Sequence, residues 1–281
     1  MAYTVLGAGG FVGSNLVRHL REMGQPVYVP AREEIPANDL GHIIYCIGLT
    51  SDFRIRPFDT VEAHVEVLRR VLQETTFESL TYLSSTRIYE HAPRDVVAVE
   101  EDLVLVDPKD QFSLFGLSKL LGESLCLSMP NPNVRAVRLS NVYGMDDTSN
   151  NFLTSVLAEG LSTGKVVLRT ALDAAKDYIA ISDVVEALRL IPLRASSRLL
   201  NLASGVNVSN QEIVSLLETH VGCQVDVRPS DKTNIFPILS IEKLRNEIGI
   251  VPLSLEQTFP DLVAGMREVL VKAYRGGDDI R

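Results

Sequence analysis

The chain has 281 residues, of which 46% are hydrophobic, and a formal net charge of -9 at pH 7. This length suits one large α/β domain, or a nucleotide-binding domain with a smaller lobe. The negative charge and the lack of any basic run argue against nucleic acid as a partner. The apolar stretches are too short to span a membrane, and no signal-peptide pattern opens the chain, so we expect a cytoplasmic protein.

The first predicted elements are a strand at 3–6 and a helix that begins near residue 11. Three glycines separate them at a spacing of three residues, which is typical of a turn that holds a dinucleotide diphosphate on the amides of a helix. The first glycine makes the turn, the second lets the backbone approach the phosphates, and the third lets helix and strand pack closely. The predicted cofactor-binding residues here are Gly7, Gly10, Phe11, Val12 and Gly13.

Strands and helices then alternate, and this alternation predicts an α/β fold with a Rossmann-type, doubly wound parallel sheet. The predicted strands lie at 27–29, 43–46, 80–83 and 134–139, and the predicted helices at 59–73 and 113–128. The link at 30–41 has two prolines and is about the minimum length for a parallel crossover, so we expect no full helix there.

After Gly144 the pattern changes to helices at 152–161, from 183, and at 209–220, 241–248 and 255–273, with short strands at 166–168, 178–181 and 199–201. We therefore expect a dinucleotide-binding Rossmann domain at 1–144. Residues 145–281 should form mainly a smaller C-terminal substrate lobe, with some segments returning to the Rossmann sheet.

Two further segments carry candidate chemistry. In the segment 83–89, a buried strand ends in hydroxyl groups at the carboxyl edge of the sheet, where open α/β folds bind their ligands. In the segment 115–123, Phe115 and Lys119 are one helical turn apart and share a face.

Together with the segments 138–144, 176–179 and 201–205, these motifs resemble the extended short-chain dehydrogenase/reductase family, in particular its nucleotide-sugar epimerases, dehydratases and ketoreductases. In that family a hydroxyl residue, a tyrosine and a lysine act together while a hydride moves between a sugar carbon and a nicotinamide. The resemblance assigns the hydroxyl to Ser85, four residues before Tyr89, and the lysine to Lys119. The position of the family tyrosine is Phe115.

Phenylalanine keeps the ring of tyrosine but has no proton to exchange. Three explanations stay open: a deliberate tyrosine-to-phenylalanine variant that traps substrate, a natural enzyme with another donor, or a protein that binds ligands without turning them over. The candidate donors are Thr86, Tyr89, Tyr143 or a water molecule.

The resemblance also implies further contacts. Near the cofactor it places Cys46, Ile47, Gly48 and His64, the last at a position where the family usually has asparagine. At the substrate it places Thr86, Asn141, Tyr143 and Lys176, with Arg138 among the cations near the lobe interface. The histidines and the three cysteines (Cys46, Cys126 and Cys223) are scattered, so we expect neither a metal site nor a disulfide.

The residues after the second strand bear on cofactor choice. Ala31 stands where NAD-selecting members carry an acid, and Arg32 follows it, which favours NADP(H) over NAD(H) because a guanidinium suits a 2′-phosphate. Glu33 and Glu34 oppose this preference.

The sequence thus predicts redox chemistry on a nucleotide sugar, either reduction of a keto sugar or 4-epimerisation. The alternatives are a non-catalytic dinucleotide-binding protein of the same fold, or a reductase of a non-sugar carbonyl. The helices at 59–73 and 113–128 correspond to those that pair in the dimers of similar proteins, so we expect a homodimer.

Overall fold

A computed structural model describes residues 2–31, 34–35, 39–50, 52–110, 113–145, 151–228 and 235–276. The strands are β1 (Tyr3–Leu6), β2 (Val27–Tyr28), β3 (His42–Tyr45), β4 (Ser79–Ser85), β5 (Val134–Leu139), β6 (Asn141–Tyr143), β7 (Lys165–Leu168), β8 (Ala175–Ala180), β9 (Leu199–Leu202), β10 (Asn207–Ser209) and β11 (Gln224–Val227). The helices are α1 (Phe11–Glu22), α2 (Pro57–Val61), α3 (Val67–Glu74), α4 (Ser113–Ser128), α5 (Phe152–Thr163), α6 (Ile181–Arg194), α7 (Asn210–His220) and α8 (Leu255–Gly276).

The central sheet is parallel and has the strand order β2-β1-β3-β4-β5-β9. This arrangement confirms the Rossmann-type fold expected from the alternation of strands and helices. The described part of the link between β2 and β3 contains no helix, in agreement with its short length and its prolines. The edge strand β9 comes from the second half of the chain and pairs with β5.

The sheet is buried on both faces, which explains why its strands read as continuous apolar runs. Every residue of β1 and of β3 is buried. Side chains of α1 and α6 pack on one face of the sheet, and side chains of α3 and α4 pack on the other. Ligands can therefore reach the sheet only at the ends of its strands, and open α/β sheets bind them at the carboxyl ends.

The chain that follows β5 adds two small sheets, β10-β8-β6 and β11-β7. They enclose a separate apolar core with α5, α7 and α8. The strand expected at 178–181 runs instead from Ala175 to Ala180, because Ile181 already begins α6. The pattern of apolar residues also missed β6, β10 and β11, which are only three or four residues long.

The helix expected at 59–73 begins at Pro57 and is interrupted by a π turn at Glu62–Glu66, between α2 and α3. Similarly, the segment expected to be a helix at 241–248 ends in a π turn at Leu244–Ile248. Among the helices that the structure describes, none is both long and apolar enough to cross a membrane.

Candidate active site

The glycine turn joins β1 to α1, at the place where the strand order switches from β2 on one side of β1 to β3 on the other. Open α/β sheets bind ligands at such a switch point. Gly7 has a φ of 85°, and a Cβ there would lie 2.7 Å from the amide nitrogen of Ile47. A Cβ on Gly13 would lie 2.4 Å from the carbonyl oxygen of Gly7. Both positions therefore exclude a side chain.

The first turn of α1 is open to an anion. Gly10 precedes the helix without capping it through a side chain, and the first turn carries no acidic residue. The amides of a first helical turn have no partner within the helix, and the helix dipole adds positive potential there. Gly10 is exposed, and Phe11 and Val12 are half-buried. This cradle fits the diphosphate of a dinucleotide.

Three residues from different elements meet just beyond β3. A Cβ on the exposed Gly48 would lie 3.2 Å from Nε2 of His64 and 3.3 Å from Nζ of Lys119. The preceding residue, Ile47, is the one that packs against Gly7 in the glycine turn. The structure therefore brings Gly48, His64 and Lys119 together beside the turn, and it places Cys46 and Ile47 in the same loop.

His64 lies in the π turn and is completely buried. The amide of Leu49 donates to Nε2 at 3.2 Å, so the ring proton is assigned to Nδ1. Nδ1 then donates to Oγ of Ser118 at 2.8 Å, and this hydroxyl donates to the carbonyl of Phe115 at 2.9 Å. Burial and the charge of Lys119 lower the pKa of His64 to about 3. The neutral ring thus fixes the loop at Leu49 and is not an acid.

Lys119 reaches the end of β4 from α4. Its Nζ donates to the carbonyl of Leu83 at 2.7 Å and lies 4.9 Å from the centroid of the Tyr82 ring. Burial lowers the pKa of Lys119 to about 7. The ammonium therefore has carbonyl and ring partners but is poorly solvated, and an anionic or hydroxyl-rich ligand beside Gly48 would stabilise its charge.

Ser85 is the last residue of β4, two positions after Leu83, and it is half-buried. Its Oγ accepts a hydrogen bond from the amide of Arg87 at 3.2 Å, which leaves the hydroxyl proton to be donated elsewhere. Thr86 begins the following 3₁₀ turn and is buried. Ser85 and the Nζ atom of Lys119 therefore both lie at the carboxyl end of β4.

Phe115 is 3% exposed and is surrounded by rings and one cation. Its centroid lies 5.5 Å from that of Phe53 and 5.4 Å from that of His64. The guanidinium carbon of Arg87 stands 5.0 Å from the Phe115 centroid. Sequence reasoning missed both Phe53 and Arg87; the position of Arg87 between Ser85 and Tyr89 was the only available signal.

Two of the suggested alternative proton donors are committed elsewhere. The hydroxyl of Tyr89 accepts from Nη1 of Arg138 at 2.6 Å and donates to Asn201 Oδ1 at 3.0 Å. The hydroxyl of Tyr143 lies 2.5 Å from Oγ1 of Thr258. Both tyrosines are 2% exposed. They are therefore unavailable to a substrate, and Tyr143 packs in the apolar core of the C-terminal segments instead of lining a cleft.

The other predicted substrate residues differ in their surroundings. Lys176, on β8, is half-buried, with Nζ 5.7 Å from the ring centroid of Phe236. Asn141 is exposed, but its amide donates to the carbonyl of Asp177 at 2.8 Å and so helps to join β6 to β8. Arg32, the residue on which cofactor choice depends, lies outside the described residues, as does Glu33.

Arg138, which was expected among the cations near the lobe interface, is 4% exposed and is engaged by other residues of the chain. It is buried in an ion pair with Glu123, with its Nη2 at 2.9 Å from Oε2. It also donates to Tyr89 and to the carbonyl of Glu100 at 3.2 Å. The residues beside Arg138 in the sequence are apolar and give no sign of its partner on α4. The sequence alone therefore does not distinguish an arginine in a buried ion pair from one that faces a ligand. Its role is to hold the 3₁₀ turn beneath Ser85.

The fold and the glycine turn define a Rossmann-type α/β protein with a nucleotide-type cradle at the switch point. The model of the NAD dependent epimerase/dehydratase family matches residues 33–203, which is more than half of the chain. The chain therefore belongs to the NAD dependent epimerase/dehydratase family, whose members are oxidoreductase-type enzymes. No protein of curated function matches the sequence at a significant level.

Solved structures with a similar fold cover nearly the whole chain. MoeE5 in complex with UDP-glucose and NAD has a TM-score of 0.80 and 21% identity, and the match covers 96% of this chain and 100% of MoeE5. UDP-glucose 4-epimerase from Thermotoga maritima with UDP-glucose gives a TM-score of 0.83 at 18% identity, covering 96% of this chain and 100% of that one. RMD from Pseudomonas aeruginosa complexed with NADPH has a TM-score of 0.77 and 19% identity, and the match covers 95% of this chain and 99% of RMD.

Proposed function

We propose that this protein carries out nicotinamide-dependent redox chemistry on a nucleotide-activated sugar, by reducing a keto sugar or by 4-epimerisation. The observation that carries the proposal is the convergence at Gly48, where the glycine turn, His64 and Lys119 meet. The structural neighbours support the substrate class, because their descriptions include UDP-glucose, UDP-glucuronic acid, NAD and NADPH.

The residues of this chain fit a dinucleotide in a definite way. The first-turn amides of α1 would bind its diphosphate, and Cys46, Ile47 and Gly48 would line the path from there towards β4. Lys119 would hold the nicotinamide ribose, which relieves the poor solvation of its ammonium. When bound, the nicotinamide supplies or accepts a hydride.

Ser85 would donate its free hydroxyl proton to the oxygen on the reacting carbon, because its own acceptor site is already used by the amide of Arg87. Phe115 supplies no proton, and Tyr89 and Tyr143 are engaged. Thr86 and a water molecule remain as candidate proton donors. Phe115 also favours a second candidate function, namely a protein that binds dinucleotide and sugar nucleotide without turnover.

Lys119→Met tests the proposal, because methionine retains the buried stem but removes the ammonium. We expect the affinity for dinucleotide, measured by calorimetry, to fall at least about tenfold, the worth of a charge-assisted hydrogen bond. Lys165→Met is the matched control, since Lys165 is exposed on β7. Undiminished dinucleotide affinity in Lys119→Met would contradict the role of the lysine and weaken the redox proposal.

For the cofactor itself we propose NADP(H) over NAD(H), on the strength of Arg32. Glu34 works against this preference: it is exposed, and its carboxylate accepts a hydrogen bond from the amide of Ala31 at 3.3 Å. Parallel titrations with NADPH and NADH test the choice. Arg32→Ala should reduce the affinity for NADPH alone, and a wild-type preference for NADH would refute the proposal.

We also propose a homodimer built on α2 and α4. These helices contact each other and leave apolar side chains in solvent, with Phe58 at 86%, Leu121 at 50% and Leu117 at 38% exposure. Burying such side chains is favourable and typical of stable interfaces. Sedimentation velocity should give a dimer for the wild type and a monomer for Leu121→Glu, whereas a monomeric wild type would refute the interface.

A further inference from the structure

The ammonium of Lys119 lies over the ring of Tyr82, a fully buried residue of β4. Its Nζ is 4.9 Å from the ring centroid and donates to the carbonyl of the next residue, Leu83, at 2.7 Å. A cation over the face of a ring is attracted by the quadrupole of the ring, most strongly where water is excluded. Two consecutive residues of β4 therefore fix this ammonium.

Gly122 makes room for the ring of Tyr82 on α4. A Cβ at Gly122 would lie 2.5 Å from both Cζ and the hydroxyl oxygen of Tyr82. Gly122 follows Lys119 by three positions, so the two residues share one face of the helix. A side chain at position 122 would displace the ring from the ammonium. The contact between Lys119 and Tyr82 thus depends on this glycine.

The contribution of Tyr82 comes from its ring and not from its hydroxyl. Among the residues that the structure describes, this buried hydroxyl has no hydrogen-bond partner. The ring itself is supported by Tyr45, because the two ring centroids are 5.6 Å apart. The hydroxyl of Tyr45 donates to the carbonyl of Ala63 at 2.6 Å, in the π turn that also carries His64. Phenylalanine at position 82 would therefore offer Lys119 the same ring face.

We propose that Tyr82 is a positioning residue, whose ring holds the ammonium of Lys119 at the carboxyl end of β4 in the place where a dinucleotide would meet it. This inference rests on the proposed function and adds to it a residue that acts through the lysine. A side chain that is fixed before binding loses less conformational freedom when the ligand arrives, and this increases affinity. The sequence assigns position 82 to a strand and gives it no role at the site.

The titration of Lys119 can report on this contact. His64, in the π turn, has a pKa of about 3, and Cys46, after β3, has a pKa of about 12. Both values are far from the pKa of about 7 of Lys119. Glu123, on α4, is held in the buried ion pair described above, and burial raises the pKa of Tyr82 itself. A shifted midpoint of Lys119 would therefore reflect its own contacts.

The first test follows the ¹³C chemical shift of the lysine Cε atoms in the full chain as the pH rises, with Lys119→Met to assign the signal. We expect Tyr82→Leu to lower the midpoint of Lys119 by about one pH unit, because the attraction of the ring for the charged form is lost. Tyr82→Phe should leave the midpoint unchanged. Tyr3→Leu is the matched control, since it removes an equally buried ring from β1 of the same sheet.

The second test measures the affinity for NADPH by calorimetry at about pH 6, where a lysine with a pKa of about 7 is charged. Tyr82→Leu should weaken binding about fivefold, and Tyr82→Phe should stay within about twofold of the wild type. In a Lys119→Met background, Tyr82→Leu should cause no further loss, because the ring acts through the lysine. A further loss of the same size would overturn the proposal.

An unchanged Lys119 midpoint in Tyr82→Leu would also overturn it, as would an equal shift in Tyr82→Phe or Tyr3→Leu. If Tyr82→Leu does not fold, Gly122→Ala should lower the midpoint by displacing the ring, whereas Gly116→Ala, on the same helix with nothing within 4 Å of its Cβ, should not. Equal midpoints in these two variants would refute the role of Tyr82. A wild type that binds no dinucleotide would count against the proposed function, and the titration of Lys119 would still decide whether Tyr82 holds it.

Discussion

Phe115→Tyr adds one hydroxyl to a ring whose surroundings are already built. The contacts of Phe115 with Phe53, His64 and Arg87 are made through the ring at centroid distances of 5.5, 5.4 and 5.0 Å, so the substitution leaves them in place. Lys119 follows one helical turn later with a pKa of about 7, and its positive charge favours ionisation of a neighbouring phenol. The variant therefore adds a phenol hydroxyl at the position where the proposed site has no proton donor.

A positioned acid or base contributes on the order of 10²- to 10⁴-fold to a rate, and we expect a gain of at least about tenfold for a hydroxyl placed by substitution alone. The assay follows the absorbance of reduced nicotinamide with the nucleotide sugars that the protein binds. Phe53→Tyr is the control, since it adds the same hydroxyl to the other ring of the pair. Unchanged turnover of a sugar that both proteins bind would refute the reasoning.

Three further predictions concern the framework of the site. Gly13→Ala should destabilise the protein by about 2 kcal/mol in chemical denaturation, because the added Cβ would lie 2.4 Å from the Gly7 carbonyl oxygen. Gly9→Ala is the control and should be nearly neutral, because its Cβ would have nothing within 4 Å. Equal effects of the two substitutions would contradict the close packing of the turn. His64 has a folded pKa of about 3, below its unfolded value, so the unfolded state binds more protons between about pH 3 and 6.5. Stability should therefore fall as the pH drops through that window, by up to about 5 kcal/mol. His64→Asn should flatten this dependence, and a profile unchanged from wild type would show that His64 does not cause it. Glu123→Gln should lower the free energy of unfolding by about 3 kcal/mol, because it leaves the buried charge of Arg138 without its carboxylate. Glu66→Gln, which removes an exposed carboxylate, should lower it by less than about 1 kcal/mol. Similar losses in the two variants would mean that the buried pair is not coupled.

The sequence predicted best those elements whose signals are local. Glycine spacing placed the turn between β1 and α1, and α4 and β5 begin and end at the expected residues. The π turn at Glu62–Glu66 could not be predicted, because apolar spacing over 59–73 suits a continuous helix. His64 lies in that turn and bonds Ser118 and Leu49 from there.

Partners distant in sequence account for the errors at the site. Tyr143 was expected in a cleft, but Thr258, which accepts or donates its hydrogen bond, lies 115 residues later. Arg87 was missed because its setting depends on Phe53 and Phe115, which are distant from it in the sequence. Residue type at one position does not reveal which side chains the fold brings to it.

The most direct measurement is a crystal structure of the chain grown with saturating NADPH. We expect the diphosphate on the amides of Phe11, Val12 and Gly13, and the nicotinamide facing the hydroxyl of Ser85 and the ammonium of Lys119. Density for the dinucleotide away from the glycine turn, or a nicotinamide turned from β4, would contradict the assignment of this site.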